Sequence, residues 1–119
     1  MAVNVLIVDT SEATREVLRE AISEEFRVVA EAADGAEAIE IAETTHVDVV
    51  VMDLAMPGVD GIEATATITE LHPDVSVVFC TNATQRETMR SAIEAGGDGY
   101  VTKPFENSTI QDAIRDAIS

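Results

Sequence analysis

The chain has 119 residues, 46% of them hydrophobic, and its 23 acidic and seven basic residues give a formal net charge of −16. This length predicts one domain over residues 1–119, and the apolar fraction is too high for a disordered acidic tail. The charge disfavours direct binding to nucleic acid or anionic lipid. One cysteine excludes an internal disulfide, and no apolar run approaches the ~20 residues of a membrane span. We therefore expect a soluble, cytoplasmic protein with no membrane partner.

The acidic residues are spread along the whole chain. Such an excess suits either attraction of a basic protein partner or adaptation to high salt, where screening makes self-repulsion tolerable. A partner patch should be local, so the even spread favours salt adaptation. Only one of the seven basic residues is a lysine, Lys103.

Five short apolar runs predict β-strands in chain order. They cover residues 3–8, 27–32, 47–52, 75–80 and 99–102. The first, third and fourth runs are almost continuously apolar, which is typical of strands covered on both faces in a parallel sheet. The second and fifth are shorter or more polar, as expected at sheet edges.

Helical patterns fill the gaps between these runs. The first helix is predicted from an apolar stripe at Ala13, Val17, Leu18, Ala21 and Ile22. Three more helices are predicted over residues 36–43, 61–71 and 84–95. A last helix follows from the spacing of Ile110, Ala113, Ile114, Ala117 and Ile118, with Ser108 and Gln111 as its capping box.

Strand and helix thus alternate five times, which predicts a doubly wound α/β sandwich with a parallel five-stranded sheet. Ligands bind such sheets at the carboxyl ends of the strands. Four polar residues follow predicted strands there: Asp9, Asp53, Thr81 and Lys103. Two carboxylates suit Mg²⁺, a hydroxyl and an ammonium can hold phosphoryl oxygens, and a carboxylate can itself accept a phosphoryl group.

Each of these residues also has a structural explanation. An aspartate or threonine after a strand usually forms a turn or caps a helix, and a lone lysine is usually solvated. Four suitable residue types at four strand ends of one sheet favour a phosphoryl site.

Three segments carry a resemblance to a known family. They are Leu6-Ile7-Val8-Asp9, the stretch Val51-Met52-Asp53-Leu54-Ala55-Met56-Pro57-Gly58-Val59-Asp60-Gly61, and the stretch Ala95-Gly96-Gly97-Asp98-Gly99-Tyr100-Val101-Thr102-Lys103-Pro104-Phe105, together with Thr81. Over essentially its whole length the chain resembles the receiver domains of two-component response regulators, including the stand-alone chemotaxis type. The resemblance implies a flavodoxin-like fold with strand order 2-1-3-4-5.

The resemblance also implies a phosphorylation switch. Asp53 would accept a phosphoryl group from a sensor histidine kinase with Mg²⁺ present, and Asp9 and the Ala55 backbone carbonyl would help to hold the metal. Lys103, beside a cis peptide bond to Pro104, would contact the phosphoryl oxygens.

The response to phosphorylation follows from the same resemblance. Thr81 would move toward the phosphoryl group and Tyr100 would follow it inward. The surface of the fourth helix, fifth strand and fifth helix would then change its affinity for a downstream effector protein. Such a domain is not an enzyme acting on other molecules, although it promotes its own phosphotransfer and dephosphorylation. Homodimerisation on activation stays open, as does whether the chain stands alone or is cut from a longer regulator.

Two positions depart from the family pattern. Thr10 stands where the family usually has a second acidic residue that binds the metal, so we expect weakened Mg²⁺ binding. Asn82 replaces a small residue and would narrow the approach to Asp53. These departures keep an alternative open, a pseudo-receiver that binds partners independently of phosphate. A flavin-binding protein is disfavoured because Asp9-Thr10-Ser11-Glu12 is not a phosphate loop.

Overall fold

The computed structural model describes residues 2–119, so Met1, the first residue of the predicted domain, lies outside the described residues. Five strands and five helices alternate along the chain. They are β1 (Asn4–Val8), α1 (Glu12–Ser23), β2 (Arg27–Ala32), α2 (Gly35–Thr44), β3 (Val49–Met52), α3 (Gly61–Leu71), β4 (Ser76–Thr81), α4 (Arg86–Glu94), β5 (Gly99–Thr102) and α5 (Asn107–Ile118).

The five strands form one parallel sheet of order β2-β1-β3-β4-β5. The predicted fold class and strand order are therefore confirmed. β1, β3 and β4 lie in the centre and are almost entirely buried, as their continuous apolar sequences predict. Because all strands run in the same direction, their carboxyl ends meet at a single edge of the sheet.

Alternate residues of each central strand face opposite layers of helices. On one face, Val5 and Ile7 of β1 pack with the buried side chains of α1 and α5. On the other face, Leu6 and Val8 pack with the buried side chains of α2, α3 and α4. Two separate cores result, one on each side of the sheet.

The start of α5 differs from the prediction. α5 begins at Asn107, with Glu106 in the cap position and no side-chain capping hydrogen bond, so the predicted Ser108–Gln111 capping box is wrong. Instead, the buried Gln111 amide donates to the Ala21 carbonyl (2.9 Å) and to Glu24 Oε1 (2.7 Å) at the end of α1. A tertiary contact has thus replaced the local one that the spacing suggested.

Helix α4 buries fewer residues than the other four helices. Its only buried residue is Ala92, while Met89 and Ile93 are 36% and 49% exposed. No helix among residues 2–119 has the length and apolar character that a bilayer crossing demands.

Candidate functional site

The predicted site residues converge at the carboxyl edge of the sheet. Asp9 directly follows β1, Asp53 follows β3 and Lys103 follows β5. Thr81 is the last residue of β4, so it belongs to the strand instead of following it. Asp9, Asp53 and Thr81 are 2%, 9% and 1% exposed.

Lys103 connects the two carboxylates. Its Nζ atom lies 2.7 Å from Asp9 Oδ2 and 3.5 Å from Asp53 Oδ2. Burial disfavours the charged ammonium, but the hydrogen bond with Asp9 and the charges of Asp53 and Asp9 outweigh it and raise the pKa of Lys103. The Lys103–Pro104 peptide bond is cis, as the resemblance predicts. Lys103 is therefore a fixed cation facing both acids.

Asp9 is held by groups from α1. Its Oδ1 atom accepts a hydrogen bond from the Ser11 N–H (2.9 Å), while Ser11 itself caps α1 through Thr14. The Arg15 guanidinium donates to the Asp9 carbonyl at 2.6 Å, and its Nε lies 3.3 Å from Glu31 Oε1 of β2. The sequence analysis missed this contact, because nothing in the spacing of the residues marks it.

Asp53 is positioned by the strand before it and the helix after it. Its N–H donates to the Val8 carbonyl (3.0 Å), and its Oδ1 accepts from the Leu54 N–H (2.8 Å). Gly61 begins α3 so close by that a Cβ atom there would stand 2.0 Å from the Asp53 carbonyl oxygen. Glycine thus allows α3 to pack directly against the loop that carries Asp53.

Thr81, Ala83 and Tyr100 form a short chain of contacts beside the two acids. The Thr81 hydroxyl accepts from the Ala83 N–H (3.3 Å), and the Tyr100 hydroxyl donates to the Ala83 carbonyl (2.7 Å). The partly buried Tyr100 ring packs against the core and lies 6.2 Å from the Phe79 ring, centroid to centroid. Desolvation and the charge of Asp53 raise the pKa of Tyr100. The two predicted switch residues are thus joined through one backbone unit.

The remaining predicted positions lie at the rim of the site. Thr10, Ala55 and Asn82 are all exposed. Ser11 is the N-cap of α1, and Thr10 directly precedes it. The predicted carbonyl role of Ala55 and the predicted narrowing by Asn82 stay predictions.

The oxygen donors present are of the kind that Mg²⁺ prefers. Asp9 and Asp53 offer carboxylates, and Ala55 offers a carbonyl at an exposed position. Among residues 2–119, no group of three or more His, Cys, Asp or Glu side chains is arranged to hold a metal ion. The types of donor atom therefore fit a hard cation. Only two carboxylates are present, because Thr10 has a hydroxyl where the family pattern has a third carboxylate.

The other candidates for chemistry lie elsewhere or are inert. Cys80 is 1% exposed, and burial raises its pKa to about 12, so its thiol stays protonated. His46 and His72 follow α2 and α3 at the opposite edge of the sheet, where His46 Nε2 lies 3.2 Å from Asp48 Oδ1. Neither histidine belongs to the site.

Comparison with known proteins agrees with this geometry. The sequence profile of the response regulator receiver domain matches residues 5–115. The chain belongs to this family, the receiver domains of two-component signalling.

Two individual relatives are similar in sequence to the whole chain. The chain is 45% identical over 119 residues to the chemotaxis protein CheY of Halobacterium salinarum, covering 100% of this chain and 99% of that protein. It is 32% identical over 120 residues to CheY of Bacillus subtilis, with both proteins covered completely. Both relatives are therefore similar to this chain from end to end.

Solved structures are likewise similar to this chain over almost its whole length. A CheX–CheY–BeF3–Mg²⁺ complex from Borrelia burgdorferi superposes with a TM-score of 0.93 at 27% identity, covering 98% of this chain and 90% of that one. The receiver domain of CheB from Thermotoga maritima has a TM-score of 0.91 at 30% identity, covering 99% and 97%.

Proposed function

We propose that the chain is a phosphorylation-dependent switch in which Asp53 accepts a phosphoryl group from a sensor histidine kinase. The observation that carries this proposal is the position of Lys103, whose ammonium lies 3.5 Å from Asp53 Oδ2 and 2.7 Å from Asp9 Oδ2. A fixed cation beside a partly accessible carboxylate is suited to phosphoryl oxygens.

In the proposed reaction, an Asp53 carboxylate oxygen forms a bond to phosphorus while the bond between phosphorus and the donor histidine nitrogen breaks. Lys103 stabilises the negative charge on the phosphoryl oxygens, and Asp9 and Asp53 are the side chains that would hold Mg²⁺. When bound, Mg²⁺ neutralises further charge on the phosphoryl oxygens. The chain promotes its own phosphotransfer and dephosphorylation and is not an enzyme acting on other molecules.

The response would travel from Thr81 to the surface around α4. Thr81 is connected to Tyr100 through Ala83, and Tyr100 belongs to β5 beside α4. The exposed apolar side chains of α4, Met89 and Ile93, support this face as the one that binds a downstream effector protein. A phosphoryl group shifts this surface only by the difference in its affinity for the two conformations.

The names of the relatives support a setting for this switch. We propose a cytoplasmic regulator that acts in chemotaxis, as the names of the two CheY relatives suggest. The net charge of −16 and the likeness to a Halobacterium salinarum protein support adaptation to high salt.

A second candidate is supported by Thr10. With one carboxylate fewer at the metal site, the chain could act as a pseudo-receiver that binds partners without phosphorylation. The retention of Asp53, Thr81 and Lys103 at one sheet edge favours the phosphorylated switch.

Intact-mass spectrometry after incubation with acetyl phosphate and Mg²⁺ in molar KCl tests the proposal. We expect the gain of one phosphoryl group, lost in Asp53→Asn and lost without Mg²⁺. Asp74→Asn, an exposed acid at the opposite edge, is the matched control and should be phosphorylated normally. An adduct that persists in Asp53→Asn would refute the assignment. No adduct in either the native chain or Thr10→Asp would favour the pseudo-receiver.

A further inference from the structure

Every polar group of Asp9 is bound by another part of the chain. Its N–H donates to the Ala32 carbonyl (3.1 Å), and its backbone carbonyl accepts from the Arg15 guanidinium (2.6 Å). Its carboxylate oxygens accept from the Ser11 N–H and the Lys103 ammonium. The direction of the carboxylate is therefore set by the bonds of its backbone as well as by its own partners.

Arg15 is itself held by the edge strand β2. Its Nε atom lies 3.3 Å from Glu31 Oε1, while Nη1 of the same guanidinium binds the Asp9 carbonyl. Only 17% of the Arg15 side chain and 26% of the Glu31 side chain are exposed. Because the guanidinium is planar and rigid, fixing Nε on Glu31 also restricts the direction of Nη1. Both backbone groups of Asp9 thus depend on β2: the N–H binds it directly, and the carbonyl is connected to it through the guanidinium.

We propose that Arg15 is a positioning residue, which holds the Asp9–Thr10 backbone so that the Asp9 carboxylate faces the site, and that Glu31 acts through it. This inference rests on the proposed function, because that function makes Asp9 a side chain that would hold Mg²⁺. Arg15 touches the loop only at backbone carbonyls, those of Asp9 and, at 3.4 Å, Thr10. Since position 10 supplies no carboxylate, an error in the direction of Asp9 affects one of only two acids at the site.

Arg19 provides a comparison on the same helix. It lies one turn after Arg15 and pairs with the same carboxylate, at Glu31 Oε2. Its hydrogen bond goes to Glu31 and not to the loop after β1, and 46% of its side chain is exposed. The two arginines carry the same charge and share one partner. Replacing each in turn therefore separates the pairing with Glu31 from the hold on the loop.

Charge and positioning predict opposite effects of Arg15 on Mg²⁺ affinity. If Arg15 acted by charge alone, Arg15→Met would remove a repulsive cation and tighten the binding of a divalent ion. If Arg15 orients Asp9, the same substitution releases the loop and weakens binding, since loss of a group that orients a metal ligand typically costs about 10–100-fold in affinity. Arg15→Lys keeps the charge but has one nitrogen where the guanidinium uses two, so it should weaken binding as well.

The first measurement needs neither Mg²⁺ nor a phosphoryl donor. Hydrogen exchange in molar KCl follows the amides of Asp9 and Ser11, of which the first donates to β2 and the second to Asp9 Oδ1. We expect both amides to exchange on the order of tenfold faster in Arg15→Met than in Arg19→Met, because only the former loses its charge-assisted bond to the loop. Amides of β4 should exchange alike in the two variants. Equal exchange of Asp9 and Ser11 in both would overturn the proposal.

The second measurement is titration with MgCl2 at constant ionic strength in KCl, followed through the amide signal of Asp53. We expect binding on the order of tenfold weaker in Arg15→Met and Arg15→Lys, and within about twofold of the native chain in Arg19→Met. Glu31→Gln should weaken binding in the native chain but add little to Arg15→Met, since it acts through that arginine. Binding by Arg15→Met as tight as that of the native chain, or full recovery in Arg15→Lys, would refute the positioning role. Circular dichroism checks that each variant is folded.

Neither measurement depends on whether Asp53 is phosphorylated. Faster exchange of Asp9 and Ser11 in Arg15→Met, in a chain that acetyl phosphate does not modify, would support the positioning role and refute the switch. Unchanged exchange in a chain that is phosphorylated would do the reverse. If the native chain binds no Mg²⁺, the metal part of the proposed function fails and the exchange rates alone decide the role of Arg15.

Discussion

The hydroxyl group of Tyr100 donates a hydrogen bond to the backbone carbonyl of Ala83 at 2.7 Å, and this contact joins β5 to the loop after β4. The N–H of the same Ala83 is bound to the Thr81 hydroxyl. Both polar backbone groups of Ala83 are thus engaged by the two residues for which a switching role is predicted. The conformation of this loop is therefore coupled to both side chains.

Replacement of Tyr100 by phenylalanine tests this coupling. The ring keeps its packing against the core, but the partly buried Ala83 carbonyl loses its donor, so we expect a loss of about 1 kcal/mol in the free energy of unfolding. Hydrogen exchange should become faster for Ala83 and its neighbours. Amides of α1, which packs on the opposite face of the sheet, serve as an internal control. Unchanged exchange in the loop would show that Tyr100 does not restrain it.

The Gln111 amide predicts a second stability effect. It satisfies the Ala21 carbonyl in the last turn of α1 and is 8% exposed. Gln111→Ala should lower the free energy of unfolding by about 1–3 kcal/mol, since a buried acceptor loses its partner. Gln85→Ala is the matched control, because Gln85 is exposed and makes no capping hydrogen bond. Equal effects of the two substitutions in urea denaturation would contradict this role.

Most of the fold could be predicted from the sequence because its physical signals are local. Continuous apolar runs reveal strands covered on both faces, and the pattern of residues 61–71 predicts α3 with its observed ends. The α5 capping box failed because Gln111 takes part in a tertiary contact with α1. Spacing along the chain carries no record of a partner 90 residues away.

The candidate site, too, could be predicted from the sequence only in part. The strand ends brought Asp9, Asp53, Thr81 and Lys103 together because parallel strands place their carboxyl ends at one edge. The contact of Arg15 with the Asp9 carbonyl could not be predicted, since it depends on how α1 turns over the sheet. Residue types were thus predictable, and the hydrogen bonds that fix their orientation were not.

Gly61 gives a third prediction, at the base of the loop that carries Asp53. Gly61→Ala would bring a Cβ within 2.0 Å of the Asp53 carbonyl oxygen and 2.8 Å of Leu54 Cα, so α3 must shift away from the loop. We expect a loss of about 1–3 kcal/mol in thermal or urea unfolding, as for overpacking of a filled site. Phosphorylation of Asp53 by acetyl phosphate should slow as well.

Gly58→Ala is the control for that substitution. Gly58 has φ +74° but open space around it, so alanine meets backbone strain without a clash. Gly58→Ala should lower the free energy of unfolding by about 1 kcal/mol. A Gly61→Ala protein as stable as Gly58→Ala would mean that the loop accommodates the methyl group freely.

Alkaline pH should destabilise the protein through buried acids that resist ionisation. Burial raises the pKa of Cys80 from its ordinary value of 9.0 to about 12, and the unfolded chain therefore releases this proton first. Because the native state binds more protons in this window, the free energy of unfolding should fall as pH rises from about 9 to about 12. The raised pKa of Tyr100 acts in the same direction.

Cys80→Val isolates the contribution of the thiol to this pH dependence, since valine keeps an apolar side chain in the buried strand. The free energy of unfolding of this variant should fall less steeply with pH over the same range. Its slope should differ from that of the native chain by at most about 1.4 kcal/mol per pH unit. Urea denaturation in molar KCl at several pH values measures the slope. Identical slopes for the two proteins would show that Cys80 does not contribute, and native Cys80 should also resist alkylation at pH 8.

The charge of −16 predicts that salt stabilises the fold. The molecule measures 32 × 30 × 28 Å, so a screening length of about 30 Å at 0.01 M lets carboxylates repel one another across the whole protein, whereas about 3 Å at 1 M confines repulsion to neighbours. We expect the melting temperature to rise by roughly 10 °C between these conditions, which corresponds to a few kcal/mol. A variant with Glu20→Gln, Glu43→Gln and Glu70→Gln, all exposed, should gain stability in dilute salt and little in molar KCl. If that variant shows the same salt dependence as the native chain, repulsion among the surface carboxylates is not the cause.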